Sequence, residues 1–126
     1  GHWGIITDAH PALFSQFKAQ FPHTKLTPLR YGDIVQDSSR FHAVEWAFVT
    51  DLAMDGLLAC RNYLRRPFPV IGLVHSLGSH TQFEKLDKVL SLVTSLDLLL
   101  CPSPSVESTV LSFAKSKKKK KLKTIA

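Results

Sequence analysis

The sequence has few cysteines and no long apolar run, and both shortages narrow the classes of protein that it can encode. Only Cys60 and Cys101 are present among 126 residues, and each stands in an apolar segment. Two cysteines are too few for a disulfide framework, so we expect buried free thiols in a reducing, cytoplasmic compartment. No apolar stretch has the length that spans a bilayer, and the N-terminus lacks the basic and then apolar pattern of a signal peptide.

Several motifs that define enzyme classes are also missing. The chain contains no G-x-G-x-x-G, no G-x-x-x-x-G-K-[ST] and no G-x-S-x-G. A dinucleotide fingerprint, a P-loop and a nucleophile elbow are therefore not predicted. The six histidines are scattered, and His75 with His80 has no third candidate ligand nearby in the sequence. We accordingly expect no metal site.

The net charge of +6 comes from one lysine-rich segment, residues 115–123, which holds seven of the sixteen Lys and Arg residues. The other nine are set against ten acidic residues, so the rest of the chain is close to neutral. No aromatic residues interleave with the lysines, which argues against nucleic acid as a partner. We expect a solvated segment, and its functional alternative is attraction to an anionic membrane surface, with a peripheral membrane location. The run itself consists of Lys117, Lys118, Lys119, Lys120 and Lys121.

Elsewhere the chain alternates short apolar runs with longer segments of helical periodicity. This alternation is typical of β-α-β units, which build a parallel sheet through right-handed crossovers. Helical segments are predicted to begin near residues 11, 48, 81 and 104. We therefore predict a single Rossmann-like α/β domain over residues 1–126, with three layers. Its predicted strands cover residues 3–7, 25–29, 43–47, 70–74, 98–101 and 123–126.

Local signals mark the ends of several of these elements. Pro28 favours an edge position for its strand, because proline cannot donate to the ladder. Thr81 and Glu84 have the spacing of a capping box. Ser103 and Pro104 are predicted to be the N-cap and the first residue of a helix.

The longest predicted helix covers residues 48–64 and stops before Pro67. Arg61, with Arg65 and Arg66, is predicted to complement the negative end of its dipole. The predicted buried stripe of this helix consists of Val49, Ala53, Leu57, Cys60 and Leu64.

Polar residues follow the predicted strand at 70–74 at the point where it ends. The apolar run gives way to His75, Ser76, Leu77 and Gly78. Such a run is typical of a strand buried on both faces, and open parallel sheets bind ligands at the carboxyl ends of their strands. Histidine exchanges protons near neutral pH, so His75 is the candidate catalytic residue, with Ser76 and Gly78 as substrate-binding neighbours. The alternative is a hydrogen-bonded structural histidine.

A second candidate cluster, Ser103 and Ser105, opens the helix that follows the predicted strand at 98–101. A helix N-terminus favours anions such as phosphate, although most serines there only cap the helix. The strands at 70–74 and 98–101 are consecutive, so we predict that they are adjacent and parallel. Both clusters would then line one crevice, with Ser103 and Ser105 as substrate-binding residues.

These segments resemble the N-terminal half of the family 4 glycosyltransferases. In that family a strand ends in His-Ser, as at residues 65–78, and a later strand ends in a serine that opens a helix, as at residues 97–106. Residues 1–7 are similar to the glycine–histidine start of the family's second strand. Residues 122–126 look like the last strand before the interdomain linker.

The resemblance implies an enzyme with two Rossmann-like domains that face each other across a cleft. Such enzymes transfer a sugar from a nucleotide-sugar donor to an acceptor with retention of configuration. The N-terminal domain holds mainly the acceptor and the C-terminal domain holds the donor. By this resemblance His75 takes the position of the family's cleft histidine, and Ser103 that of the serine on the same wall. The nucleotide sugar is a substrate, and no further cofactor is implied.

Two parts of the family pattern are missing from the chain. The first strand and its glycine-rich loop are absent, and so is the donor-binding half with its paired glutamates. The chain therefore looks like a fragment that is inactive alone, and we expect the missing strand to lie between those at 3–7 and 43–47.

Two other functions are consistent with the sequence. The chain could be a non-catalytic Rossmann-like binding module whose basic tail contacts a membrane or a partner. It could also be another α/β enzyme that uses His75 as acid or base.

Overall fold

A computed structural model describes residues 1–7, 12–30, 39, 44–50, 54–64, 68–75, 77–117 and 122–126. Within these ranges, six strands form one parallel sheet flanked by helices, which confirms the predicted Rossmann-like α/β fold. The strands are β1 (His2–Ile6), β2 (Lys25–Leu29), β3 (Trp46–Thr50), β4 (Val70–Leu73), β5 (Leu98–Leu100) and β6 (Thr124–Ile125). The helices are α1 (Leu13–Gln20), α2 (Met54–Leu64), α3 (His80–Leu92) and α4 (Pro104–Ser116). None of these helices is both long and apolar enough to cross a bilayer.

The sheet has the order β2-β1-β3-β4-β5-β6, and each neighbouring pair is parallel. β4 pairs with β5 through the register Leu73↔Leu100, which confirms the predicted adjacency of these two strands. β2, which carries Pro28, lies at an edge, also as predicted.

Helices lie on both faces of the sheet because the strand order runs in two directions from β1. β2 is added on one side of β1, and β3 to β6 are added in turn on the other side. Right-handed crossovers therefore place α1 on one face of the sheet and α2, α3 and α4 on the other face. Contacts on the two faces agree with this arrangement. On one face, the ring centroids of Phe17 in α1 and Phe48 in β3 are 5.0 Å apart. Met54 of α2 packs over Gly72, whose missing side chain leaves room for the Met54 sulfur.

β1 and β3 pair directly, in the register Trp3↔Trp46. The family pattern predicted a further strand between them, and the sheet has no gap there. The backbone groups of β1 and β3 on these facing sides instead hydrogen-bond to each other. The strand order reverses direction between β1 and β3, which makes this the topological switch point of the sheet.

The boundary between β3 and α2 differs from the prediction. The strand extends to Thr50, and the helix begins at Met54 rather than at residue 48. Residues 48–50 are aromatic or β-branched, which suits a strand, and they continue the pairing with β4 as far as Thr50↔Leu73. Val49 is therefore a core residue of the sheet, while Ala43 and Ala53 lie outside the described residues.

The main core lies between the sheet and the helices α2, α3 and α4. Leucines and valines from the strands interlock there with one face of each helix. Burial of these side chains is the chief stabilising contribution to the fold. The fully buried members include Leu29, Val49, Met54, Leu57, Leu58, Val70, Leu86, Leu90 and Leu99.

Arg61 lies in the last turn of α2, as the dipole prediction requires, and it is also buried, which the sequence did not predict. Only 3% of its surface is accessible, and its guanidinium forms two bonds to the Asp97 carboxylate, at 2.5 and 2.7 Å. The same guanidinium donates to the Phe68 carbonyl, and Asp97 accepts the amides of Val70 and Thr94. The pair ties α2 to the amino ends of β4 and β5, so its role is structural.

Capping residues fix where α3 and α4 begin. Ser79 is the N-cap of α3, and its capping-box partner is Gln82, so the box predicted at Thr81 lies two residues too late. Ser103 is the N-cap of α4, as predicted, and its Oγ accepts the amide of Val106 at 3.2 Å.

Candidate functional site

The described residues of the two predicted strand-end clusters lie at the carboxyl edge of the sheet. All six strands are parallel, so their carboxyl ends share one edge, where ligands of open α/β sheets bind. β4 and β5 end in register, and the chain leaves them towards His75 and Ser103. The structure thus brings the two principal predicted residues to the ends of neighbouring strands.

His75 stands one residue past the last ladder bond of β4. The amide of the preceding residue, Val74, donates to the Leu100 carbonyl at 2.9 Å, and the Val74 side chain is fully buried. The sheet therefore fixes the backbone at His75, while the imidazole itself is exposed. An imidazole held this way can accept or donate a hydrogen bond to a bound molecule.

The backbone amides at the start of α3 are already hydrogen-bonded to a side chain of the same helix. Gln82 Oε1 accepts the amides of Gly78 and Ser79, at 2.7 and 3.0 Å. Gly78 was predicted as a substrate-binding residue, and a ligand that bound its amide would have to displace the Gln82 side chain. Ser76, the other predicted neighbour of His75, lies outside the described residues.

The N-terminus of α4 is less suited to an anion than the sequence suggested. Ser105 is exposed in the first turn, and Glu107 follows it there. The Glu107 carboxylate accepts the Thr124 hydroxyl at 2.7 Å, which links α4 to β6. Its negative charge complements the helix dipole and opposes a second anion.

Burial, with a further contribution from Glu107, also raises the pKa of the Cys101 thiol, so that thiol remains protonated near neutral pH.

Two threonines at the topological switch point were not identified from the sequence. Thr7 follows β1 and donates its amide to the Leu29 carbonyl at 3.0 Å, and Thr50 ends β3 with 5% of its surface accessible. The β1–β3 register places them at neighbouring strand ends, where the switch-point rule predicts a ligand crevice. The missed signal is a repeated Trp-x-x-x-Thr-Asp, at residues 3–8 and 46–51. Both aspartates of this repeat lie outside the described residues.

Lys117, the first residue of the lysine run, is the C-cap of α4 and lies at the other end of that helix from Ser103. That helix has 13 residues, so about 20 Å separates its two ends. Lys117 is described, and residues 118–121 lie outside the described part of the chain. Lys117 therefore lies on a different surface from the strand-end site.

Within the described residues, no three His, Cys, Asp or Glu side chains are grouped so as to hold a metal ion. No family model matches the chain, and no curated protein or solved structure matches it. The α/β class rests on the sheet itself, and the glycosyltransferase resemblance stays a prediction.

Proposed function

We propose that this chain is the acceptor-side domain of a retaining glycosyltransferase that takes its sugar from a nucleotide-sugar donor. The observation that supports the proposal is the position of His75 and Ser103 at the ends of adjacent parallel strands. These are the residues that the family resemblance assigns to one wall of the cleft. Activity would require the donor-binding domain that the family pattern includes, so the chain alone would be inactive.

The two side chains have chemistry that suits a sugar hydroxyl. The exposed His75 imidazole can accept a hydrogen bond from an acceptor hydroxyl or donate one to the transferring sugar. The Ser103 oxygen accepts from the Val106 amide and still carries a hydroxyl hydrogen that can be donated. Ser76, Gly78 and Ser105 would contribute substrate contacts around them.

A transfer assay on the complete natural protein tests this function. UDP- and GDP-sugars would be supplied with simple glycoside acceptors, and products would be followed by mass spectrometry. We expect transfer with retained configuration by the complete protein and none by residues 1–126. A reading frame without a second α/β domain, together with no transfer to any acceptor, would refute the proposal.

A second function is favoured by the pairing of β1 with β3. This pairing completes the sheet without the family's first strand, which suits a self-contained, non-catalytic binding module. Its lysine segment would contact an anionic membrane or partner. A native reading frame that ends at Ala126 would favour this function over the enzyme.

A further inference from the structure

A groove of about 230 Å³ lies between α3 and α4, on a surface that the proposed glycosyltransferase chemistry does not use. Two phenylalanines form its apolar part: the rings of Phe83 and Phe113 have centroids 5.3 Å apart. Both rings are partly buried, since they pack against the main core. The described residues that line the groove are His80, Phe83, Glu84, Asp87, Phe113 and Lys117.

Carboxylates stand beside these rings. Glu84 and Asp87 are one turn apart on α3, and the Glu84 carboxylate lies 2.9 Å from the His80 imidazole. Aromatic rings attract cations to their faces, and neighbouring carboxylates strengthen that attraction. The groove therefore combines the two features that recognise an organic cation.

The ammonium group of Lys117 already contacts both features of the groove. Its ammonium lies 5.5 Å from the centre of the Phe113 ring and 3.8 Å from Asp87 Oδ1. The second distance is longer than a hydrogen bond, and nearly half of the Lys117 side chain is exposed. Lys117 is thus held loosely and can be displaced.

We propose that this groove binds the guanidinium group of an arginine side chain from a partner protein, in place of Lys117. A guanidinium is planar, so it can stack on a phenylalanine ring and donate two parallel hydrogen bonds to one carboxylate. A lysine ammonium cannot make that combination of contacts. Lys117 then acts as an internal competitor that weakens binding.

A titration of the ¹⁵N-labelled chain with N-acetyl-arginine amide tests the site. We expect saturable shifts of amide resonances around Asp87 and Phe113, with a millimolar dissociation constant. The neutral analogue N-acetyl-citrulline amide has nearly the same shape and should cause no saturable shift. Asp87→Asn should weaken arginine binding about threefold, the scale expected when a half-exposed ion pair is lost.

The internal competitor gives the sharpest comparison. Lys117→Met should bind the arginine probe about threefold more tightly than the unchanged chain does. Lys115→Met removes the same charge from the same helix outside the groove and should leave the affinity within twofold. The spectrum of each variant also shows whether it is folded. The proposal is wrong if the citrulline analogue binds equally well, if no saturable shift occurs at the groove, or if the two lysine variants behave alike.

Discussion

Arg61 and Asp97 form a buried, two-point salt bridge between residues that are 36 positions apart in the chain. The Asp97 carboxylate also accepts the Val70 amide at 2.9 Å, so one side chain joins α2, the start of β4 and the approach to β5. This pair, which we call the Arg61–Asp97 clamp, lies at the amino edge of the sheet, opposite the candidate site. It therefore holds in register the two strands whose carboxyl ends carry His75 and Ser103.

Breaking this clamp on one side should strongly destabilise the fold. Arg61→Met leaves an uncompensated buried carboxylate, and we expect a loss of about 3–5 kcal/mol in the free energy of unfolding. The double variant Arg61→Met/Asp97→Leu removes both charges and should be less destabilised than the single variant. Urea denaturation followed by circular dichroism measures both. Equal destabilisation of the two variants would show that lost packing, and not the unpaired charge, is responsible.

The same carboxylate predicts a pH dependence. Burial alone would raise the pKa of Asp97, but hydrogen bonds from Arg61, Thr94 and Val70, together with the guanidinium charge, lower it below its ordinary value. An aspartate in an unfolded chain has a pKa of about 3.9. A lowered folded-state pKa means that the stabilisation is fully present above that value and is lost as the pH falls through the folded-state pKa.

Stability curves between pH 6 and pH 2 would test this sign. The unchanged chain should lose stability more steeply below about pH 4 than the Arg61→Met/Asp97→Leu double variant, which lacks the carboxylate. Parallel curves for the two proteins would contradict a lowered pKa at Asp97.

The close approach of α2 to the sheet predicts a strict size limit at Gly72. A Cβ atom there would collide with the Met54 sulfur, which is itself buried. Gly72→Ala should cost about 1–3 kcal/mol of stability through overpacking. Gly78→Ala is the matched control, because a Cβ at Gly78 has its nearest neighbour only at 4.0 Å. Adding Met54→Ala to Gly72→Ala should cause less damage than the sum of the two single changes, since the collision is removed.

Apolar runs and capping residues were enough to predict the approximate positions of the strands other than β3, the parallel pairing of β4 with β5 and the start of α4. The end of β3 was mispredicted because residues 48–50 fit a helix face as well as a strand, and pairing with β4 decides between the two. The burial of Arg61 against Asp97 was not predicted, because the two residues are remote in sequence. The β1–β3 pairing is likewise non-local, although the repeated Trp-x-x-x-Thr-Asp carried a trace of it. At the candidate site, the positions of His75 and Ser103 could be predicted because each follows an apolar run by no more than a few residues. Thr50 draws attention only through the strand order.

The lysine segment should give salt-dependent attraction to anionic membranes. Replacing Lys117 and the four lysines after it with glutamine should weaken binding to phosphatidylserine vesicles at low salt. Exposed charges are screened beyond about 10 Å at 0.1 M salt, so adding salt should weaken the unchanged chain in the same way. Vesicles of phosphatidylcholine alone are the control. If the glutamine variant binds phosphatidylserine vesicles as well as the unchanged chain does, the membrane function is wrong.

His75 should be required for transfer and dispensable for folding. In the complete protein, His75→Ala should lower kcat roughly a hundredfold, the scale expected when one positioned acid–base or polar group is lost. Its melting temperature should hardly change, because the imidazole is exposed and the buried Val74 anchors the strand end.

Ser103→Ala should differ by losing about 1 kcal/mol of stability as well as activity, since its hydroxyl caps α4. His23→Ala, an exposed histidine between α1 and β2, is the control and should change neither quantity. If His75→Ala retains full activity, or loses it only in proportion to unfolding, His75 is a structural residue and the strand-end site must be sought at the switch point beside Thr7 and Thr50.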